Sequence, residues 1–191
     1  MRIGVLALQG DVREHVDTLK KLSCEVVEVR KASDLDNLMG LVLPGGESTT
    51  ISKLMDIFSV REPIKSFVAS GKAVFGTCAG MITLASQVLD SASGQQSLGL
   101  MDISVRRNAF GSQLDSFEET IDFAGTNVNV AFIRAPIVEK VGENVQVLSK
   151  LKDGTVVAVR QKNMLATSFH PEITGETIVH EYFLNMASSA Q

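Results

Sequence analysis

The stretch KAVFGTCAGMITLAS, residues Lys72–Ser86, contains an apolar run, then a cysteine with glycines two residues away on either side, then a helical pattern. The apolar run predicts a strand, Ala73–Phe75, that is buried on both faces. Gly76 and Gly80 would allow this strand to turn sharply into a closely packed helix. The stretch therefore predicts a strand–turn–helix unit of an α/β fold, with Cys78 held out at the turn.

Strand and helix patterns alternate from the N-terminus up to this unit. Continuous or alternating apolar residues predict strands at Ile3–Leu8, Cys24–Arg30 and Gly40–Gly46. Helical patterns lie between them, and they are predicted after Asp11, from Thr49 to Phe58 and from Pro63 to Ala69. Such alternation is typical of parallel strands joined by crossover helices. We expect a three-layer, doubly wound, mostly parallel sheet of the flavodoxin-like kind.

The pattern changes from about Met101 onward. Strand-like segments separated by Gly, Asn and Pro follow one another: DISVRRNAF, SFEETIDF, VNVAFIRAP, VQVLSKL, TVVAVRQ and MLATSF. The segment RQKNM is typical of a hairpin turn, so additional antiparallel strands are expected in the C-terminal half. The final TGETIVHEYFLNMAS is helical, with Ile178, Tyr182, Phe183 and Met186 expected inward. No repeat or linker divides the chain, and a single domain over residues 1–191 is expected.

Composition limits the classes of partner. The 191-residue chain has a formal net charge of −4 and a pI near 5.4, whereas nucleic-acid binding needs a basic face. The apolar run near the N-terminus is too short for a signal core or a membrane span. Two cysteines do not form a disulfide framework. We therefore expect a cytoplasmic protein that binds neither nucleic acid nor membrane.

Cys78 is a candidate nucleophile. A tight turn at the carboxyl end of a strand presents a side chain where ligands of open α/β sheets bind. The start of a helix also favours thiolate over thiol. The alternative is a small buried hydrophobic residue, which is how we interpret Cys24 because it lies in a strand pattern without glycines.

His170 is the candidate base. It lies at the end of the last predicted strand, and Pro171 restricts it to an extended conformation. Residues two apart in an extended chain face the same side, so Glu172 would orient His170 as the third member of a triad. The alternative is a histidine that merely precedes a turn. His15 and His180 lie in amphipathic helical patterns and are expected to be at the surface or half-buried.

The segment LPGGESTT, Leu43–Thr50, follows another predicted strand. Its two glycines would leave backbone N–H groups free to form an oxyanion hole. A phosphate-binding loop is the competing interpretation, but the Gly-Lys-Ser/Thr ending is missing and Glu47 would repel phosphate. A plain turn is the third possibility.

Together these segments resemble the class I (triad) glutamine amidotransferases. The motifs GVLALQGDVREH, LPGGESTT, FGTCAG, RRNAFG, FIRAP and SFHPE occur in order over nearly the whole chain. They are most similar to the glutaminase subunits of pyridoxal 5′-phosphate synthase, for which PGGEST, RNAFG and FIRAP are the more specific motifs. One residue departs from that pattern, because Ser112 stands where the family commonly has arginine.

The resemblance implies a mechanism. Cys78 would attack the side-chain amide carbon of L-glutamine, while the N–H groups of Gly46 and Ala79 hold the oxyanion. His170 would carry the thiol proton to the departing ammonia, with Glu172 orienting it, and water would hydrolyse the thioester to glutamate.

The resemblance also implies a substrate site and a partner. It places glutamine against Gly46, Glu47, Ser48, Arg106, Ile133 and Arg134. The ammonia would pass to a separate synthase subunit that builds pyridoxal 5′-phosphate. No cofactor or metal is implied, and the Cys-x-x-Cys spacing of zinc sites is absent.

Two other functions are compatible with the sequence. One is a related cysteine hydrolase that cleaves a different amide or thioester. The other is a non-catalytic binding module with a flavodoxin-like sheet, which would have no use for Cys78, His170 and Glu172 together.

Overall fold

The structure is a computed structural model that describes residues 1–107 and 116–189. The helices are α1 (Val12–Lys21), α2 (Ser48–Ile57), α3 (Arg61–Ala69), α4 (Ala79–Leu84), α5 (Pro171–Thr174) and α6 (Ile178–Ser189), with a 3-10 helix at Ala32–Leu35. The strands are β1 (Arg2–Leu6), β2 (Glu25–Val29), β3 (Gly40–Leu43), β4 (Ala73–Thr77), β5 (Ala85–Val88), β6 (Met101–Arg106), β7 (Ser116–Phe123), β8 (Thr126–Ile133), β9 (Ile137–Val141), β10 (Gln146–Lys150), β11 (Val156–Gln161) and β12 (Met164–Thr167).

The main sheet has a parallel core extended by antiparallel strands. Within the described ranges its order is β2-β1-β3-β4-β12-β11-β9-β6-β5, and β10 pairs with β11. Strands β2, β1, β3, β4 and β12 are parallel, as are β5 and β6. Strand β11 runs antiparallel to β9, β10 and β12, and β6 to β9, while β7 and β8 form a separate hairpin. The predicted fold is confirmed, although β5 and β9 were not predicted.

Strands β1, β3, β4 and β12 of the parallel core are buried on both faces, which explains their mostly apolar sequences. Along β3, Leu41 and Leu43 pack into a core that includes residues of α2, α3 and α4. Val42 points the other way, into a core that includes residues of α1, α6 and the β7–β8 hairpin. These are the three expected layers. None of the helices in the described residues is both long and apolar enough to cross a membrane.

The helix phases bury two histidines that we expected at or near the surface. His15 in α1 and His180 in α6 are both 0% exposed, so this prediction was wrong. In α1, His15 lies four residues before the core residue Leu19 and therefore on the same face. In α6, Phe183 and Met186 are buried as predicted, but Ile178 and Tyr182 are only half-buried, and Val179 and His180 are buried instead.

Four parallel strands end at one edge of the sheet, and the loops that follow them carry the candidate residues. Gln9 and Asp11 follow β1, Gly46 follows β3, Cys78 follows β4, and His170 follows β12. The carboxyl edge of an open α/β sheet is where ligands bind. Part of the RRNAFG motif (residues 106–111) and Ser112 lie outside the described residues.

Candidate active site

The predicted elbow is present at the end of β4. Cys78 has φ 48° and ψ −102°, a left-handed conformation that is unusual for a residue with a side chain. Its N–H donates to the Thr167 carbonyl at 2.8 Å, which ties the turn to β12. A Cβ on Gly76 would lie 2.6 Å from the Gly80 carbonyl, and a Cβ on Gly80 would overlap the Leu43 carbonyl. Both positions require glycine for the strand and helix to pack this closely.

The imidazole of His170 faces two carboxylates. His170 is extended, with φ −112° and ψ 91°, and its N–H donates to the Ala131 carbonyl at 2.8 Å. Its Nδ1 lies 2.8 Å from Glu172 Oε1 and 3.3 Å from Asp11 Oδ2. Glu172 itself is helical, in the first turn of α5. The predicted His170–Glu172 contact therefore forms, but through a helix start rather than an extended chain.

The surroundings of His170 favour its protonated form. Burial lowers its pKa, but hydrogen bonds with Asp11, Cys78 and Glu172 outweigh burial and raise the pKa to about 12. Burial also raises the pKa of Glu172, and the hydrogen bond from His170 opposes that effect. The surroundings thus favour a proton on the ring of His170, which lines the same cleft as Cys78 and is supported from behind by the buried carboxylate of Glu172.

The loop after β3 is held by the loop after β1. Gly46 has φ 149°, which favours glycine, and the N–H of Glu47 donates to Gln9 Oε1 at 2.8 Å. The Asp11 N–H donates to the Gly45 carbonyl at 3.1 Å. The peptide bonds at residues 45–47 therefore depend on side-chain and backbone contacts from residues 9–11.

A cleft of about 280 Å³ opens between these loops, near the lower end of the range of small-molecule sites, roughly 300–1,000 Å³. Its lining consists of Gln9, Asp11, Gly46, Glu47, Ser48, Cys78, Ile82, Arg107, Ile133, Arg134 and His170. Most of the predicted substrate and catalytic residues are therefore brought together. Glu172 lies behind His170, and Ala79 begins α4, so its N–H has no acceptor within that helix.

Arg106 is not among the lining residues, although the family resemblance places it there. Its Nε pairs with Glu139 Oε1 at 2.5 Å on the exposed surface. Arg107, the next residue, lines the cleft and donates from Nη1 to Gln95 Oε1 at 2.8 Å. Neighbouring residues of an extended chain point to opposite sides, so a shift of one residue exchanges the two arginines.

Glu47 keeps a negative charge at the mouth of the cleft. It is the N-cap of α2 and accepts hydrogen bonds from the Thr49 and Thr50 N–H groups at 3.1 and 2.8 Å. Burial raises the pKa of Glu47, but the hydrogen bonds from both threonines have the larger combined effect and lower the pKa from 4.5 to about 2. The carboxylate is therefore ionised at neutral pH and can face a cationic group.

Four residues of the cleft, Gln9, Asp11, Ile82 and Arg107, were not predicted from the sequence. Gln9 and Asp11 lie within the GVLALQGDVREH motif, which was the available signal. Asp11, His170 and Glu172 also present potential metal ligands within 4.8 Å of one another. Because the His170 Nδ1 is already engaged by Glu172, this cluster is better described as a hydrogen-bonded set than as a metal centre.

A family model and curated relatives both match this chain over nearly its whole length. The family model "SNO glutamine amidotransferase family" matches residues 5–189. A pyridoxal 5′-phosphate synthase subunit PdxT of Dehalococcoides mccartyi is 56% identical over 192 residues, covering 99% of this chain and 98% of the relative. A protein of the same name from Nocardia farcinica is 53% identical, covering 98% of this chain and 86% of the relative.

Solved structures share the fold. A crystal structure described as a glutamine amidotransferase has a TM-score of 0.92 and 46% identity, covering 97% of this chain and 98% of that one. A putative GMP synthase component of Thermoplasma acidophilum has a TM-score of 0.71 at 17% identity, covering 99% of this chain and 94% of that one, and shows the fold alone.

Proposed function

Because this chain belongs to the SNO glutamine amidotransferase family, we propose that it hydrolyses L-glutamine to L-glutamate and ammonia, in one domain over residues 1–191. One observation carries the proposal. Cys78 sits at a strained elbow and lines the same cleft as His170, whose Nδ1 lies 2.8 Å from the buried carboxylate of Glu172. A nucleophile, a base and an orienting group in this relation are the parts of a cysteine triad.

The proposed reaction proceeds through a glutamyl thioester. As the Cys78 sulfur attacks the amide carbon, the thiol proton passes to His170, and the negative oxygen that forms is held by the N–H groups of Gly46 and Ala79. His170 donates this proton to the amide nitrogen, and the C–N bond breaks to release ammonia. His170 then takes a proton from water as that water attacks the thioester and returns it to the Cys78 sulfur as the C–S bond breaks, so the thiol is restored and glutamate leaves. Glu172 keeps the imidazole oriented throughout.

The charges around the cleft suit an α-amino acid. The ionised Glu47 would face the substrate ammonium, and the cations of Arg107 and Arg134 would face its carboxylate. We therefore assign to Arg107 the role that the family resemblance gave to Arg106. Ser48 and Ile133 complete the proposed walls of the glutamine site.

We further propose that the ammonia is delivered to a synthase subunit for pyridoxal 5′-phosphate formation in the cytoplasm. Relatives at 53–56% identity carry the name of a pyridoxal 5′-phosphate synthase subunit. Free ammonia is largely lost as ammonium in neutral water, so coupling to a partner would avoid waste. Gln9 holds the Glu47 N–H beside Gly46, and a partner that contacts the loop after β1 could realign these peptides.

Steady-state glutamate release tests the proposal, with the isolated chain compared with its complex with the cognate synthase subunit. We expect hydrolysis of glutamine but not of asparagine or simple esters, and at least about tenfold faster turnover in the complex, equivalent to about 1.4 kcal/mol of barrier. Equal turnover with and without the subunit would contradict the coupling. Preferential cleavage of another amide or thioester would favour the alternative, a related cysteine hydrolase.

A further inference from the structure

Two buried histidines lie behind the proposed triad and take no part in the mechanism above. His15 on α1 and His180 on α6 are both 0% exposed, and neither lines the cleft. A buried polar ring is costly unless its nitrogens find partners, and apolar residues would pack at these positions without that cost. Their contacts point to a function.

The contacts form a chain that ends at Glu172. His180 Nε2 lies 2.9 Å from His15 Nδ1. The other nitrogen of His15, Nε2, lies 3.0 Å from Thr77 Oγ1 and 3.4 Å from Glu172 Oε1. In the described part of the chain, no group hydrogen-bonds to His180 Nδ1 or to Glu172 Oε2. This series of contacts therefore begins at a His180 nitrogen without a hydrogen-bond partner and ends at the Glu172 carboxylate.

Both rings are neutral. Burial lowers the pKa of His180 to about 3. Burial, followed by electrostatic interactions with His180 and His170, lowers the pKa of His15 well below 6.5. Each ring therefore carries one N–H. In the hydrogen bond between the two rings, either His15 or His180 is the donor, and the other ring is the acceptor.

The surroundings select one direction. If His15 donated to His180, the His180 Nδ1–H would be a buried donor without a partner, and the His15 Nε2 lone pair would face the Glu172 carboxylate. If His180 donates from Nε2, its Nδ1 is left only as an unpaired acceptor, and His15 carries its proton on Nε2. That N–H then faces Thr77 Oγ1 and Glu172 Oε1. The second arrangement avoids both an orphan donor and a lone-pair repulsion.

We propose that His15 is a positioning residue that presents its Nε2–H to Glu172, keeping that carboxylate ionised and aligned with His170, and that His180 fixes the required tautomer of His15. The inference deepens the proposed function, because it rests on Glu172 as the orienting group of the triad. Its target is an almost fully buried carboxylate that has few other donors.

The proposal has a defined pH consequence. The titratable groups that face Glu172 are His170 beside it, Asp11 from the loop after β1 and His15 from α1, with His180 behind His15. Burial raises the pKa of Glu172, and the hydrogen bond from His170 opposes that shift. An N–H of His15 facing the same carboxylate would act in the same direction as His170. Removing the donor raises the pKa further, so Glu172 becomes protonated at higher pH. The acid limb of the kcat profile should then move to higher pH.

Two variants of His15 test this in the complex with the synthase subunit. His15→Gln keeps an N–H donor on a chain of similar reach, whereas His15→Leu fills much of the space without a donor. We expect His15→Leu to lower kcat roughly tenfold or more, with KM nearly unchanged and the acid limb shifted to higher pH. His15→Gln should restore most of the rate and the wild-type limb. Wild-type kcat and pH profile in folded His15→Leu would overturn the proposal.

A measurement on the wild-type chain does not depend on any variant folding. Nitrogen-15 NMR of the imidazoles distinguishes protonated from unprotonated ring nitrogens. We expect His15 to be neutral from pH 5 to 8, with its proton on Nε2, and a proton on Nδ1 would overturn the proposal. If the wild-type complex released no glutamate, the proposed function would fail while the NMR result still tested the His15 contact.

Discussion

A single methyl group added at Gly45, by the substitution Gly45→Ala, should impair catalysis without preventing folding. The φ of Gly45 is not in the left-handed region, so Gly45→Ala introduces no backbone strain of that kind. A Cβ there would overlap His170 Cε1 and lie 2.7 Å from Asp11 Oδ2 and 3.0 Å from His170 Nδ1. The methyl group therefore collides with the imidazole itself.

The size of the effect follows from the displacement. Ordinary contact between carbon atoms is about 3.5–4.0 Å, so the ring must withdraw by about 1 Å. A displacement of about 1 Å in a catalytic group can cost about 100-fold in rate, or about 2.7 kcal/mol of barrier. Overpacking should also lower the free energy of unfolding by about 1–3 kcal/mol.

The assay is glutamate release by the complex with the synthase subunit, with thermal unfolding measured in parallel. Gly142→Ala is the matched control, because a Cβ at Gly142 would collide with Asp102 and neither residue lines the cleft. It should lower stability while leaving turnover per folded molecule near wild type. If Gly45→Ala kept turnover within about threefold of wild type, the close packing of His170 against this loop would not matter for catalysis, and the reasoning would be refuted.

Three further predictions concern the charged groups of the site. His170→Asn should abolish glutamate release, whereas Glu172→Gln should retain measurable turnover, since an orienting residue is the least costly triad member to remove; equal losses would contradict this order. Arg107→Ala should raise KM for glutamine at least about tenfold, and Arg106→Ala should not, because only the first side chain faces the cleft; steady-state kinetics of both variants decides it. Glu47→Ala should lower the free energy of unfolding at neutral pH by about 1 kcal/mol through loss of the α2 cap. Because the pKa of Glu47 is lowered from 4.5 to about 2, the difference in unfolding free energy between variant and wild type should shrink as pH falls through that window. Chemical denaturation at several pH values measures this difference, and a difference that stayed constant would contradict the prediction.

The sequence predicts the parallel core and the elbow well because both depend on local rules. Strands buried on both faces are continuous apolar runs, and the glycines beside Cys78 are needed for close packing at the turn. The short strands β5 and β9 were missed because each has a single buried position, so neither shows a clear alternation.

The wrong predictions about the site concern residues whose side-chain orientation depends on tertiary packing. Arg106 and Arg107 differ by one residue, and the sequence alone does not show which one faces the cleft. His15 and His180 were expected to be at the surface or half-buried because they lie in amphipathic helical patterns. Instead, His15 contacts His180, 165 residues further along the chain, and also contacts Glu172, and local sequence patterns do not reveal such long-range contacts.

The central claim is that Cys78 is the nucleophile that hydrolyses glutamine. Its most direct test is glutamate release by Cys78→Ala in complex with the synthase subunit, with Cys24→Ala as the matched control. Cys24 is half-buried and its pKa is raised by burial, so it should not substitute for Cys78. We predict no detectable turnover in folded Cys78→Ala and wild-type turnover in Cys24→Ala. Removing a triad nucleophile is expected to lower turnover by roughly 10⁴-fold or more. Turnover of Cys78→Ala above about 1% of wild type would therefore contradict the account.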